Sequence, residues 1–241
     1  MKKFMALLLV AGMTLSLTAC GGSTDTAKTD QADGKDTFTV GFDQDFPPFG
    51  YVGDDGEFTG FDIEMATECA ARMGKKIVLQ PIDWDAKDME LEAGTIDCIW
   101  NGFTMNGRED QYTWTDPYMD NSQVVVVKKD SGINTLADLA GKVVEVQKES
   151  AAETALNDEE HADLMASFAQ LLSVGEYNTA FMDLESGAVD AVAIDIGVAQ
   201  FQIEGKEDQY QILDETISSE QYAVGFFLGN TALRDEVQST L

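Results

Sequence analysis

A chain of 241 residues, 44% hydrophobic and 24% charged, has material for one large or two small globular domains. Its 15 Lys+Arg against 44 Asp+Glu give a formal net charge of -29, which disfavours nucleic acid as a partner because phosphate binding needs a basic face. A single histidine, His161, and three cysteines without paired ligand spacing make no transition-metal site, and nothing in the chain calls for a cofactor.

Lys2 and Lys3 precede a mostly apolar run over residues 4–17, too short to span a bilayer, and Leu17-Thr18-Ala19-Cys20 closes it with small residues before a cysteine. The pattern resembles a bacterial lipoprotein signal, in which residues 1–19 are removed and Cys20 is lipidated. A secretory signal cleaved near Ala19 is the alternative, and either exports the chain. Residues 20–36 carry no apolar side chain larger than alanine apart from Cys20 itself, so they read as a flexible tether. With Cys20 accounted for, Cys69 and Cys98 fall on core positions and are expected as buried thiols.

Residues 38–42 alternate as a strand and empty into Asp43-Gln44-Asp45-Phe46-Pro47-Pro48-Phe49, a stiff loop whose aromatics suit a cleft wall or plain core. A hairpin with Gly53-Asp54-Asp55-Gly56 at its tip follows, then a helix over 62–73 with Asp62 as its expected cap. Residues 76–82 form a strand. Trp84 stands at its exit, and Asp85 is the expected cap of a short helix ending near Ala93. The β-branched run 123–127 is long enough to pass between domains and reads as a first hinge crossing. A short helix over 135–139, a strand over 143–146 and a helix after Ser150 come next, the last with N-terminal amides open to an anion. Residues 177–186, 189–194 and 196–204 read as helix, strand and helix; 222–227 is the return crossing, and a helix begins at Ala232.

Two stretches mark a site. Cys98, Ile99 and Trp100 form a buried strand that stops in Asn101, Gly102 and Thr104, with Arg108 following. In open α/β sheets ligands lie outside the carboxyl ends of strands, and a guanidinium there is a bidentate fork for a carboxylate. A surface pairing of Arg108 with Glu109 or Asp110 is the alternative. The segment 92–100 is echoed by 185–193, each a helix end, a glycine and a buried strand, which sets Asp195 opposite Gly102. Asp195 also fits a helix cap. Two similar lobes, one offering a cation and the other an anion, are the complement of a zwitterion.

Gly41-Phe42-Asp43 with Phe46-Pro47-Pro48-Phe49, Gly60-Phe61-Asp62, Trp84-Asp85, Asn101-Gly102-Phe103-Thr104 with Arg108, Asp116-Pro117-Tyr118, Leu136-Ala137-Asp138-Leu139-Ala140-Gly141-Lys142 and the strand ending at Asp195 occur in an order that resembles polar amino acid-binding, family 3 solute-binding proteins of bacterial ABC importers. The resemblance implies a type II periplasmic-binding-protein-like α/β fold, two open-sheet lobes with the ligand cleft between them. Lobe 1 would comprise residues 37–123 plus 223–241, and lobe 2 residues 124–221. It implies a monomer anchored outside the membrane through Cys20, which captures a free L-amino acid by hinge closure and passes it to an ABC permease, without enzymatic activity. Arg108 would hold the ligand carboxylate, helped by Thr104 and the main chain near Gly102, with Ser150 and the Ala151 amide closing on it. Asp195, with Asp43, would take the ammonium; Phe46 and Trp84 would pack the ligand side chain, and Asn101 would hydrogen-bond it.

Departures from the family pattern are a loop before Asp116 one residue short, Glu149-Ser150-Ala151 where Gly-Thr-Thr is common, and an end at Leu241 that suggests a truncated sequence. A dehydratase on the same fold, with Asp43 or Asp45 as general acid, and the sensor lobe of a receptor are the rival readings.

Overall fold

The structure, a computed structural model, describes residues 35–241; the leader, Cys20 and almost all of the expected tether lie outside the described residues. The first sheet has the order β5-β1-β6-β14-β7, built from β1 (Thr37–Phe42), β5 (Lys76–Pro81), β6 (Cys98–Ile99), β7 (Thr113–Trp114) and β14 (Gly225–Phe226). Between β1 and β5 the chain makes the small antiparallel sheet β2 (Asp45–Phe46), β3 (Gly50–Val52) and β4 (Phe58–Thr59), then α1 (Phe61–Arg72). The helix α2 (Lys87–Ala93) leads into β6.

The second sheet has the order β10-β9-β11-β8-β12, from β8 (Met119–Lys128), β9 (Val143–Gln147), β10 (Gln170–Val174), β11 (Ala191–Asp195) and β12 (Tyr210–Ile212), with β13 (Ser218–Tyr222) also paired to β8. Helices α3 (Ala151–Leu156), α4 (Ala162–Ser167), α5 (Tyr177–Ser186) and α6 (Ile196–Ile203) flank it, and α7 (Thr231–Gln238) returns to the first sheet's side. Two apolar clusters fill the first half, one around Phe38, Val40, Trp100 and Phe226 and one around Ile99, Phe103 and Trp114; two more lie on the faces of the second sheet around Val124–Val127, one of them taking in Phe46 and Phe49.

The repeat read from the echoed segments extends into the hydrogen bonds. Helices α2 and α5 both stop at a left-handed glycine, Gly94 and Gly187. The next acidic residue in each copy then clasps the start of the neighbouring parallel strand: Asp97 Oδ2 accepts from Thr39 N at 2.7 Å, and Asp190 Oδ2 from Val143 N at 2.9 Å. Strand order is also equivalent, since β1 lies between β5 and β6 as β9 lies between β10 and β11.

Three local expectations are corrected. Val124–Val127 all pair with β11 and Val126 and Val127 also with β12 inside the second sheet, so they do not cross between sheets; the connection runs earlier, where Thr115 N donates to Val224 O, Tyr118 N to Tyr222 O, and β8 opens on the pair Met119–Tyr222. Asp62 does not cap α1, whose N-cap is Gly60; the carboxylate points away and binds Gly102 N and the Tyr118 hydroxyl. Asp85 makes no cap bond, because Lys148 of the second half takes it at 2.7 Å. Cys69 and Cys98 are both free and buried.

At Gly60 the aromatic loop is fastened to α1: Phe61 N donates to Pro48 O and Asp62 N to Phe49 O. Gly60 has φ 125°, and a Cβ there would stand 2.4 Å from Phe49 O. Gly60→Ala combines a glycine-only backbone with a backbone clash, so urea unfolding is expected to report a loss of about 3 kcal/mol.

Candidate functional site

All ten residues proposed from the sequence line one cavity between the two halves, and Gln147 joins them. The strand ends deliver them. Asp43 follows β1, Asn101 and Gly102 follow β6, Gln147 ends β9 and Asp195 ends β11, so four polar ends converge as open-sheet topology requires.

Arg108 is the cation among the lining residues. It does not pair with Glu109 or Asp110; its Nη1 donates to Thr104 O at 3.2 Å and its Nη2 to Glu149 O at 3.3 Å, with the guanidinium 5.4 Å from the centre of the Phe103 ring. Two carbonyls use two of five N–H donors and leave the positive charge without a carboxylate among the described residues. Glu149 occupies the left-handed region at φ 57°, the conformation that the glycine of the common Gly-Thr-Thr pattern would adopt without strain. Three ties hold it there: Arg108 on its carbonyl, Glu153 on its amide at 2.6 Å, and buried Lys87 on its carboxylate at 2.9 Å.

Asp195 sits at the N-cap position of α6 but makes no cap bond. Its Oδ1 instead accepts from Tyr222 OH at 2.6 Å and from Asn121 Nδ2 and Gln123 Nε2, each at 2.7 Å. Oδ2 accepts no hydrogen bond from the described residues and remains for the cavity. Burial, then the neighbouring Glu220 charge, pushes this carboxyl up to about 7.

Thr104 and Gly102 differ from the expected roles. The Thr104 hydroxyl donates to Glu220 Oε1 at 2.8 Å, which spends its one proton and leaves it acceptor lone pairs only. Thr104 therefore suits an ammonium better than a carboxylate. The Gly102 amide donates to Asp62 Oδ2 at 2.5 Å, so it anchors the loop and is not a free donor. With φ 56°, Gly102 also leaves room that a Cβ would take, 2.9 Å from the Phe46 ring.

Asp43 is held rigidly: its amide donates to Asn101 Oδ1, its Oδ1 accepts from Asp45 N, and its Oδ2 accepts from Gln147 Nε2 at 2.6 Å across the cleft. Burial raises this carboxyl to about 6. Phe46 packs against Tyr177 of the second half at 6.0 Å, and Trp84 meets Phe103 edge-on at 5.5 Å. Ser150 caps α3 by accepting from Glu153 N, with Ala151 the first residue of that helix.

Gln147, Asn121, Gln123, Tyr222 and Glu220 were not singled out in the sequence. The repeat contains a signal for the first. Thr39 and Val143 are the equivalent residues that the Asp97 and Asp190 clasps hold, and Asp43 and Gln147 each lie four residues further on, so both halves place a polar residue at the same strand end and the two meet. Asn121 and Gln123 alternate on β8 just before its valine run, a period-two polar pair entering a buried strand.

Comparison with known proteins agrees with this architecture. The sequence model of the bacterial extracellular solute-binding proteins, family 3, matches residues 38–241, and the chain belongs to that family. It is 29% identical to the L-cystine-binding protein TcyJ of Escherichia coli (strain K12), across 98% of this chain and 86% of that protein. Identity is also 29% to the arginine-binding extracellular protein ArtP of Bacillus subtilis (strain 168), across 100% of this chain and 92% of the relative. A histidine-bound substrate-binding protein of a Streptococcus pneumoniae ABC uptake transporter superposes with a TM-score of 0.81 at 33% identity, covering 85% of each chain. The two-lobe α/β architecture is thereby shared with solved binding proteins.

Asp43, Asp62 and Asp195 all hold their protons more tightly folded than unfolded, at about 6, 7 and 7 against an ordinary 3.8. Their contribution to stability is complete below the ordinary value and is lost as pH rises through 6 to 7. The thermal midpoint of the ligand-free protein should fall between about pH 5 and about pH 8. Asp62→Asn should remove a share of that fall worth about 3 kcal/mol, read as a flatter midpoint-against-pH curve.

Proposed function

We propose that this chain captures one free L-amino acid between its lobes and hands it to the permease of an ABC importer. The observation that carries the reading is the opposition, on one cavity, of Arg108 without a carboxylate and Asp195 with an oxygen to spare. A zwitterion supplies both missing charges. Arg108 holds the carboxylate, with the Ala151 amide and Ser150 closing from the second lobe, while Asp195 and the acceptor Thr104 hold the ammonium. Asp43, Asn101 and Gln147 are the polar wall for the ligand side chain, and Phe46 and Trp84 its apolar wall.

Closure brings the half built on the first sheet against the half built on the second, which are joined where residues 115–119 run beside residues 222–224. Contacts between the halves support it: Asp43 with Gln147, Lys87 with Glu149, Lys148 with Asp85, and Asn178 with Asp45 at 2.7 Å. All four are polar and Lys148–Asp85 is exposed, so they resist opening weakly and leave the balance to the ligand. The protein works as a monomer, held outside the membrane by a lipid on Cys20, and it is not an enzyme. The raised Asp43 carboxyl favours the dehydratase alternative, but both its oxygens are occupied by Asp45 and Gln147, and the relatives are named for binding. No helix among the described residues is long and apolar enough to cross a membrane.

A thermal-shift panel of the twenty common L-amino acids plus cystine, on protein starting after Cys20, tests the reading. One or a few should raise the midpoint, because a ligand that binds only the folded state must stabilise it. Arg108→Ala should weaken binding of that amino acid by roughly a hundredfold or more, since it strands a buried carboxylate. A well-folded parent that no amino acid shifts would sink the reading.

A further inference from the structure

Glu220 lies on β13, opposite Asn121 of β8, where the two strands connect the halves, and it is 7% exposed. Its Oε1 accepts from Asn121 Nδ2 at 2.7 Å, Gln123 Nε2 at 2.8 Å and Thr104 Oγ1 at 2.8 Å. The same two amide nitrogens serve Asp195 Oδ1. Each amide spends one hydrogen on each acid, so a single nitrogen separates the two carboxylates along either bridge. Neither acid belongs to an ion pair among the described residues.

We propose that Glu220 is a positioning residue that makes the ammonium subsite a two-carboxylate unit, which holds one proton when empty and gives it up when the ligand's ammonium enters. The inference rests on the capture reading above. Its physical basis is that two buried carboxylates this close do not both ionise without a cation. The described residues supply none at short range. From β8 come the neutral amides of Asn121 and Gln123; from β13, Tyr222; from the loop after β6, Thr104. Tyr177 of α5, Tyr118 and Tyr222 are buried phenols pushed well above their ordinary range and stay neutral, with buried Asp62 bonded to Tyr118. Arg108, the cavity's cation, is left for the ligand carboxylate.

The charge balance is simple. The empty pair carries one proton and one negative charge; the bound pair carries two negative charges against one ammonium, and the proton leaves to solvent. Burial holds the Asp195 carboxyl near neutral pH, which puts the exchange in an observable range. The subsite then selects for a charged nitrogen. An α-hydroxy or N-acetyl analogue brings no cation to replace the proton, and its exclusion follows from Glu220 as much as from Asp195.

The test has two arms. Without ligand, and in an Asp62→Asn background that removes the other carboxyl titrating near 7, infrared difference spectra between about pH 6 and about pH 8 should show a protonated-carboxyl stretch that is lost in Asp195→Asn, moves to lower pH in Glu220→Gln and is kept in Asp43→Asn; an unchanged band in Glu220→Gln overturns the shared proton whatever the protein binds. With L-arginine and L-glutamine as probes, whose side chains do not titrate there, calorimetry in two buffers of different ionisation enthalpy counts protons. About one should be released per molecule bound near pH 6 and close to none near pH 8, with affinity falling up to about tenfold per pH unit on acidification. Glu220→Gln should flatten both. Binding without proton release near pH 6 overturns the inference. If no amino acid binds at all, the capture reading fails, and the infrared arm still decides the proton.

Discussion

A carboxylate taken out of water costs several kcal/mol unless something charged meets it, and this molecule gathers Asp43, Asp62, Asp195 and Glu220 around one cleft. Each is met by neutral donors: a backbone amide, a tyrosine hydroxyl, or the carboxamide of Asn or Gln. Such donors relieve the cost without cancelling the charge. Each carboxylate is therefore held by hydrogen bonds while its charge stays unbalanced, and Asp62 Oδ1 is left without a hydrogen-bond partner among the described residues as well. Arg108 is the opposite case, a cation resting on two carbonyls.

This arrangement explains why polar side chains crowd the strands that join the lobes. Asn121 and Gln123 hold Asp195 and Glu220 together, Tyr222 bonds Asp195, and Tyr222 also packs Phe49 edge-on at 5.3 Å. The subsite proposed for the ammonium is thus continuous with the connecting strands and with the aromatic loop of the first lobe. A charge change at Asp195 is felt by the segments whose relative placement defines closure. Small polar rearrangements of this kind bias a two-state element more effectively than contacts made inside one rigid lobe.

Much of this is legible in the sequence. Helix α5 and strand β11 announced themselves by period and by the glycine between them, and the echoed segments placed Asp195 against Gly102. What failed to show was tertiary in origin. Asp62 has the position of a cap, yet its carboxylate satisfies a loop amide forty residues away. Asp85 has the same local signature, and Lys148 from the other half takes it. Propensity describes what a residue can do within its own turn; it does not register a stronger donor brought in by the fold. The hinge was displaced for a related reason, since valines suit a crossing and a central strand equally.

The repeat shows how one unit was put to two uses. Both copies keep the glycine stop and the acidic clasp on the neighbouring strand, which build the lobe. They differ at the strand end, where one has Gly102 and the other Asp195, and at the adjacent strand, where one has Asp43 and the other Gln147. A symmetric pair of aspartates at the cleft would place like charges face to face, whereas Gln147 donates to Asp43 and closes the contact. Replacing the second acid by glycine gives Phe46 and Tyr222 their space and frees the first lobe to present a cation from the following loop. Polarity across the cleft, and with it a preference for zwitterions, follows from breaking the repeat at these positions while preserving it elsewhere.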